Sequence, residues 1–195
     1  MNPIYETGKG HGIGHSLDSF KSRFVDICEE HLKDRKAKSF AFIFYKPENQ
    51  EIIEILHNPG ALMQLDRISG KTLSVFYFQG FNQALQESFN DVFLKAFKIN
   101  NCHNLPFILF FNVVDSEVTN IEVIELQQQD RMFAFDELRR EIEKYSNGLN
   151  QLPGQYEKPE VSKMGKITGT VSNIALDKFI EWLMTKGIEK LSQYM

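Results

Sequence analysis

Five consecutive strand formers, Phe107-Ile108-Leu109-Phe110-Phe111, constrain this chain more than any other stretch. An apolar run that short, with no polar alternation, reads as a central strand covered on both faces. Pro106 opens it, at the position where a missing N–H costs the ladder least. Asn112 to Thr119 then carries turn chemistry, and Ile121 to Leu126 forms a second, more mixed strand.

The rest of the chain supplies partners for that strand. Leu17 to Lys33 is predicted as an amphipathic helix, with Leu17, Phe20, Phe24, Ile27, Cys28 and Leu32 on one stripe. Ser39 to Tyr45 (SFAFIFY) is a strand, and Glu48 to His57 a helix that Asn58-Pro59-Gly60 ends. Ala61 to Ile68 is a further short helix, and Thr72 to Phe78 (TLSVFYF) the next strand. Asn82 caps a helix whose inner face is Leu85, Phe89, Val92, Phe93, Ala96 and Phe97. After the two late strands, Phe133 to Tyr145 has helical spacing, with Glu137 and Glu141 assigned to its solvated side. Residues 148–170 lack periodicity and read as a linker or arm. A second amphipathic helix within 171–195 carries Ile174, Phe179, Ile180, Leu183, Ile188 and Leu191, with Trp182 beside them.

The first fifteen residues are polar, with Gly8, Gly10, Gly12 and Gly14 alternating with Lys9, His11, Ile13 and His15. They are expected to be flexible up to Ser16. The alternation fits neither a dinucleotide fingerprint nor a P-loop. The expected domains are therefore a flexible glycine-rich terminus (1–15), a folded domain (16–147), an arm (148–170) and a terminal helix (171–195).

Strands joined by long helical crossovers, then two joined by a hairpin, imply an α/β protein with a mixed sheet and helices on both faces. That order, with Leu105-Pro106 leading directly into an apolar strand, resembles the thioredoxin fold over residues 16 to 147. The resemblance implies a four-stranded mixed sheet flanked by helices, to which this chain adds its C-terminal amphipathic helix. It also implies a cis bond at Pro106 and a functional edge where Tyr45, Lys46 and Pro47 meet Leu105 and Pro106. Thioredoxins place a C-x-x-C pair just after the first strand, where the helix dipole stabilises a thiolate. Here that place reads Tyr45-Lys46-Pro47-Glu48-Asn49-Gln50. Disulfide exchange needs an attacking thiol and a resolving one, and this stretch holds neither. The expectation is a redox-inactive module that holds a protein.

Charge and metal chemistry narrow the alternatives. A net charge of −4 argues against nucleic acid recognised mainly by charge. No apolar run reaches the roughly 20 residues of a membrane span. Two cysteines without metal-ligand spacing or a disulfide framework suit a reducing, cytoplasmic setting. No metal site and no cofactor is expected. An enzymatic or monothiol-sensor alternative would use Cys102 and His103 with the glycine-rich terminus. The terminal helix, with Trp182, is expected to dock on its own domain, on a protein partner or on a second copy of the chain.

Overall fold

The computed structural model of the protein describes residues 1–5, 15–16, 38–71, 73–80, 82–99, 105–114, 117–127, 130–149, 174–175, 178–179 and 181. Seven strands form one sheet: β1 (Asn2–Tyr5), β2 (His15–Ser16), β3 (Lys38–Phe44), β4 (Leu73–Gln79), β5 (Phe107–Val114), β6 (Glu117–Glu125) and β7 (Ile174–Ala175). Four helices connect them: α1 (Gln50–His57), α2 (Pro59–Ser69), α3 (Gln83–Ala96) and α4 (Arg131–Leu149). The sheet order is β2-β1-β4-β3-β5-β6-β7. The first four strands of that order run parallel, and β5, β6 and β7 are each antiparallel to the preceding neighbour.

Pleat alternation divides the core into two layers. On β5, Phe107, Leu109, Phe111 and Val113 point to one side, where α3 lies, while Ile108 and Phe110 point to the other, under α1, α2 and α4. Eleven phenylalanines fall on the α3 side, which makes that layer a stack of rings. Phe42 stands in its middle, with ring centroids of Phe93 at 4.9 Å and Phe76 at 5.5 Å. Offset ring pairs of this kind add to the area they bury. The opposite layer holds Phe110 stacked on Tyr145 at 4.2 Å. Its polar end is closed by the Ser39 and Tyr145 hydroxyls, which donate to Asn112 Oδ1 at 2.6 and 3.0 Å.

Where the sheet differs from expectation, long-range pairing is the reason. The sheet has seven strands rather than four, because β1, β2 and β7 add to a β4-β3-β5-β6 centre. Residues 2–5, expected to be flexible, form β1 beside β4, with Ile4 fully buried and the Met1 amine paired with the Asp66 carboxylate of α2. The expected turn at Asn112 to Thr119 is mostly strand, since Val114 already pairs with Glu117. Ile174 belongs to β7, against Val118, and not to the terminal helix. Of that helix, residues 178, 179 and 181 are described and helical. Pro59 starts α2 rather than ending α1: it sits in the first turn, and Asn58 Oδ1 accepts from the Ala61 amide at 2.9 Å. The predicted helix at 17–33, residues 6–14 and the segment 150–173 lie outside the described residues.

β6 also contains one residue more than its partner. Phe110 faces Glu122 while Asn112 faces Thr119, and Asn120 takes up the difference with φ of 51°. A bulge of this kind changes which side the following residues face. As a result Val118 and Val123, an odd number of positions apart, both reach the α3 layer.

Candidate functional site at the carboxyl rim of the parallel strands

β3 is the strand from which the connections part. The crossover through α1 and α2 leaves over one face to reach β4, and the crossover through α3 returns over the other to reach β5. In open α/β sheets such a divergence leaves a crevice at the carboxyl ends of the parallel strands, where ligands bind. The rim there consists of the end of β3, the start of β5 and the end of β6. The β3–β5 ladder finishes at Phe44 opposite Phe107, so Tyr45 and Pro106 follow in line.

Tyr45 is buried and held at both ends. Its backbone carbonyl accepts from Gln86 Nε2 at 3.0 Å and from Asn90 Nδ2 at 2.9 Å, both amides being buried on α3. Its hydroxyl donates to the Phe78 carbonyl. Burial pushes the Tyr45 phenol far above its ordinary range. Tyr77, whose hydroxyl donates to the Leu56 carbonyl, is raised by burial first and then by the neighbouring Tyr45 and Tyr5. Both phenols are therefore fixed donors rather than nucleophiles or bases.

The chain then turns outward. The Lys46 amide donates to Asn49 Oδ1 at 2.6 Å, and the Asn49 amide donates back to the Lys46 carbonyl at 3.0 Å. This Asx-type closure exposes Lys46 and Glu48 and leaves Pro47 half-buried while Asn49 is buried. Three helices start near this rim, and in two of them a side-chain oxygen engages the first turn. Asn82 Oδ1 accepts from the Leu85 amide at 3.1 Å, and Asp130 Oδ1 from the Phe133 amide at 2.8 Å. In α1 the Ile53 amide donates to the Asn49 carbonyl at 3.1 Å.

On the β5 side of the rim, the Leu105–Pro106 bond is cis. Pro106 is buried, Leu105 is half-buried against the α3 layer, and the Pro106 carbonyl accepts from the Leu126 amide at 2.9 Å. Beside Leu126, the Gln127 amide donates to Glu137 Oε2 at 2.6 Å. Glu137 is 6% exposed and was expected on the solvated side of its helix. Burial pushes its carboxyl up, the Gln127 amide and the Arg140 guanidinium pull it down, and Glu141 pushes it up further; the net direction is upward. The helical period misplaces Glu137 because the chain between β6 and α4 covers one flank of that helix.

Of the sequence-derived site residues, Tyr45 and Pro106 each adjoin the paired residues Phe44 and Phe107, and Lys46, Pro47 and Leu105 lie next along the chain. Trp182, Cys102 and His103 lie outside the described residues. Gln86, Asn90 and Glu137 were not found by sequence. Gln86 and Asn90 are four apart on α3, beside its apolar stripe, a pattern that any solvated flank shares. Among the described residues, no three His, Cys, Asp or Glu side chains converge to hold a metal ion. No helix of the described residues is long and apolar enough to cross a membrane. No family model, curated protein or solved structure matches this chain.

Proposed function

We propose that this chain is a thioredoxin-like module that holds extended polypeptide at its carboxyl rim and does not exchange disulfides. The observation that carries the reading is the central order β4-β3-β5-β6, with β3 and β4 parallel and β5 and β6 antiparallel. That is the arrangement of the family's four strands, with Leu105-Pro106 entering the third of them. The stretch between β3 and α1, where the family carries its thiols, contains no cysteine. The Asn49 side chain there instead closes a turn on the Lys46 amide. A rim with no cysteine among its described residues, a half-buried leucine and an exposed lysine suits binding through backbone bonds.

The terminal segment contributes less to this reading than its amphipathic pattern suggested. Phe179 is 1% exposed, with its ring 4.8 Å from Phe97 and 6.4 Å from Phe111. That ring packs in the chain's own core, and the rim is the surface this proposal assigns to the polypeptide.

The test uses reduced, carboxymethylated lactalbumin as an extended polypeptide and native lactalbumin as the folded control. Titrated into the ¹⁵N-labelled chain, the extended form should shift the amides of Tyr45, Lys46, Leu105 and Phe107, and the folded form should not. Shifts confined to another surface, or none, would overturn the holding function. Catalysed reduction of insulin by the chain with dithiothreitol would overturn the redox-inactive assignment.

A further inference from the structure

Among the described residues Glu137 is the one charged side chain that is buried, and the holding function makes no use of it. We propose that Glu137 is the positioning residue of the rim: as a hydrogen-bond acceptor it fixes the Leu126–Gln127 backbone, which in turn holds the Pro106 carbonyl in place. This rests on the holding function proposed above and assigns a determinant to that same site.

The geometry is a short relay. Glu137 Oε2 lies 2.6 Å from the Gln127 amide, and the Leu126 amide lies 2.9 Å from the Pro106 carbonyl. Leu126 and Gln127 follow the last residue of β6, beyond the end of the ladder where Phe107 faces Glu125. Among the described residues the β5–β6 ladder ends there, and the amides of Leu126 and Gln127 are held by other acceptors. One meets the proline segment and the other meets Glu137. A side-chain oxygen at this reach suits the task because a buried backbone amide left without an acceptor is costly. The surrounding charges keep the side chain in place. Arg140 Nη2 lies 3.8 Å from Glu137 Oε1, while Arg140 Nε pairs with Glu141 at 3.2 Å and Lys144 with Glu141 at 4.0 Å. At the start of the same helix Arg131 pairs with Glu54 of α1 at 3.2 Å, which ties α4 to its neighbour independently of Glu137.

Three variants separate the acceptor from the charge. Glu137→Gln keeps an acceptor oxygen at the same reach, Glu137→Asp keeps the charge but withdraws the oxygen by one methylene, and Glu137→Leu removes both. Amide hydrogen exchange is read at Gln127 and Leu126, with β3 amides as the internal control, and affinity is read with carboxymethylated lactalbumin. Glu137→Asp and Glu137→Leu should exchange at Gln127 and Leu126 about tenfold faster, the loss expected for one hydrogen bond, with β3 unchanged. The same two variants should bind the polypeptide about tenfold more weakly, and Glu137→Gln should restore both properties. Exchange and affinity like those of the native chain in Glu137→Asp would overturn the proposal, as would a Glu137→Gln as impaired as Glu137→Leu. If the native chain binds no polypeptide, the holding function falls on that result alone. The exchange rates, which need no ligand, still decide whether Glu137 fixes the rim.

Discussion

Tyr45 and Glu137 show how far single residues on this rim depend on groups remote in sequence. The Tyr45 carbonyl takes two amide donors from residues 41 and 45 positions later. Leaving such a buried carbonyl unmet would cost about 1–3 kcal/mol, so the two amides help set where the strand may end. The sequence names Tyr45, Lys46, Pro47, Leu105 and Pro106 because proline and the end of an apolar run are local signals. Gln86, Asn90 and Glu137 carry no local signal: each is a polar residue at a helical position, and only the opposing backbone makes it buried. Glu137 has a consequence for stability. Its folded-state pKa is raised, so between the ordinary carboxylate value and the raised one the folded chain keeps a proton that the unfolded chain has released. Its contribution therefore weakens as pH rises from about 4.3 through that window. Urea unfolding of the native chain and of Glu137→Gln, repeated from weakly acid to neutral pH, should show the native chain losing ground to the variant as pH rises. A constant difference between the two would contradict the shift.

At the scale of elements, the strands and helices were legible because their periods differ. β3, β4 and β5 are apolar runs bounded by turn residues, and α3 has a clear 3.6-residue stripe. The elements that escaped are short or composite. β1 has four residues, and β7 has two; neither forms without the neighbour it pairs with. The extension of β6 into supposed turn residues depends on the bulge at Asn120, where φ is 51°. Asparagine and glycine tolerate that region and a β-branched side chain does not. Asn120→Val should therefore lower stability by about 1–3 kcal/mol, while Asn120→Gly should stay close to the native chain. Thermal unfolding of the two variants checks it, and equal losses in both would remove backbone conformation as the reason for asparagine here.

At the scale of the molecule, phenylalanine is distributed unevenly across the sheet. The α3 layer is built from rings contributed by β3, β4, β5, α3 and Phe179, while the opposite layer is mainly aliphatic. Seventeen phenylalanines among 195 residues imply buried ring surface, but composition contains no information on which face receives it. The amino-terminal strand matters at this scale as well. β1 covers the edge of β4 along Phe76 to Gln79, and Ile4 joins the ring layer. Deleting residues 2–15 uncovers that edge, and an exposed strand edge invites pairing with another chain. Size-exclusion with light scattering should find the truncated protein less stable and self-associating. A monomer with native unfolding behaviour would show β1 to be dispensable.

The contact of Phe179 with Phe97 and Phe111 also bears on the order in which the molecule can be completed. A ribosome emits β3, β4, α3 and β5 well before it reaches Ile174 and Phe179. Throughout that interval Phe97 and Phe111 lack the ring of Phe179, and Glu117 and Val118 lack the β7 pairing. Domains tend to fold as units during synthesis. This one is closed by a segment that emerges late, and the pause before closure is the interval in which a chaperone would find something to shield.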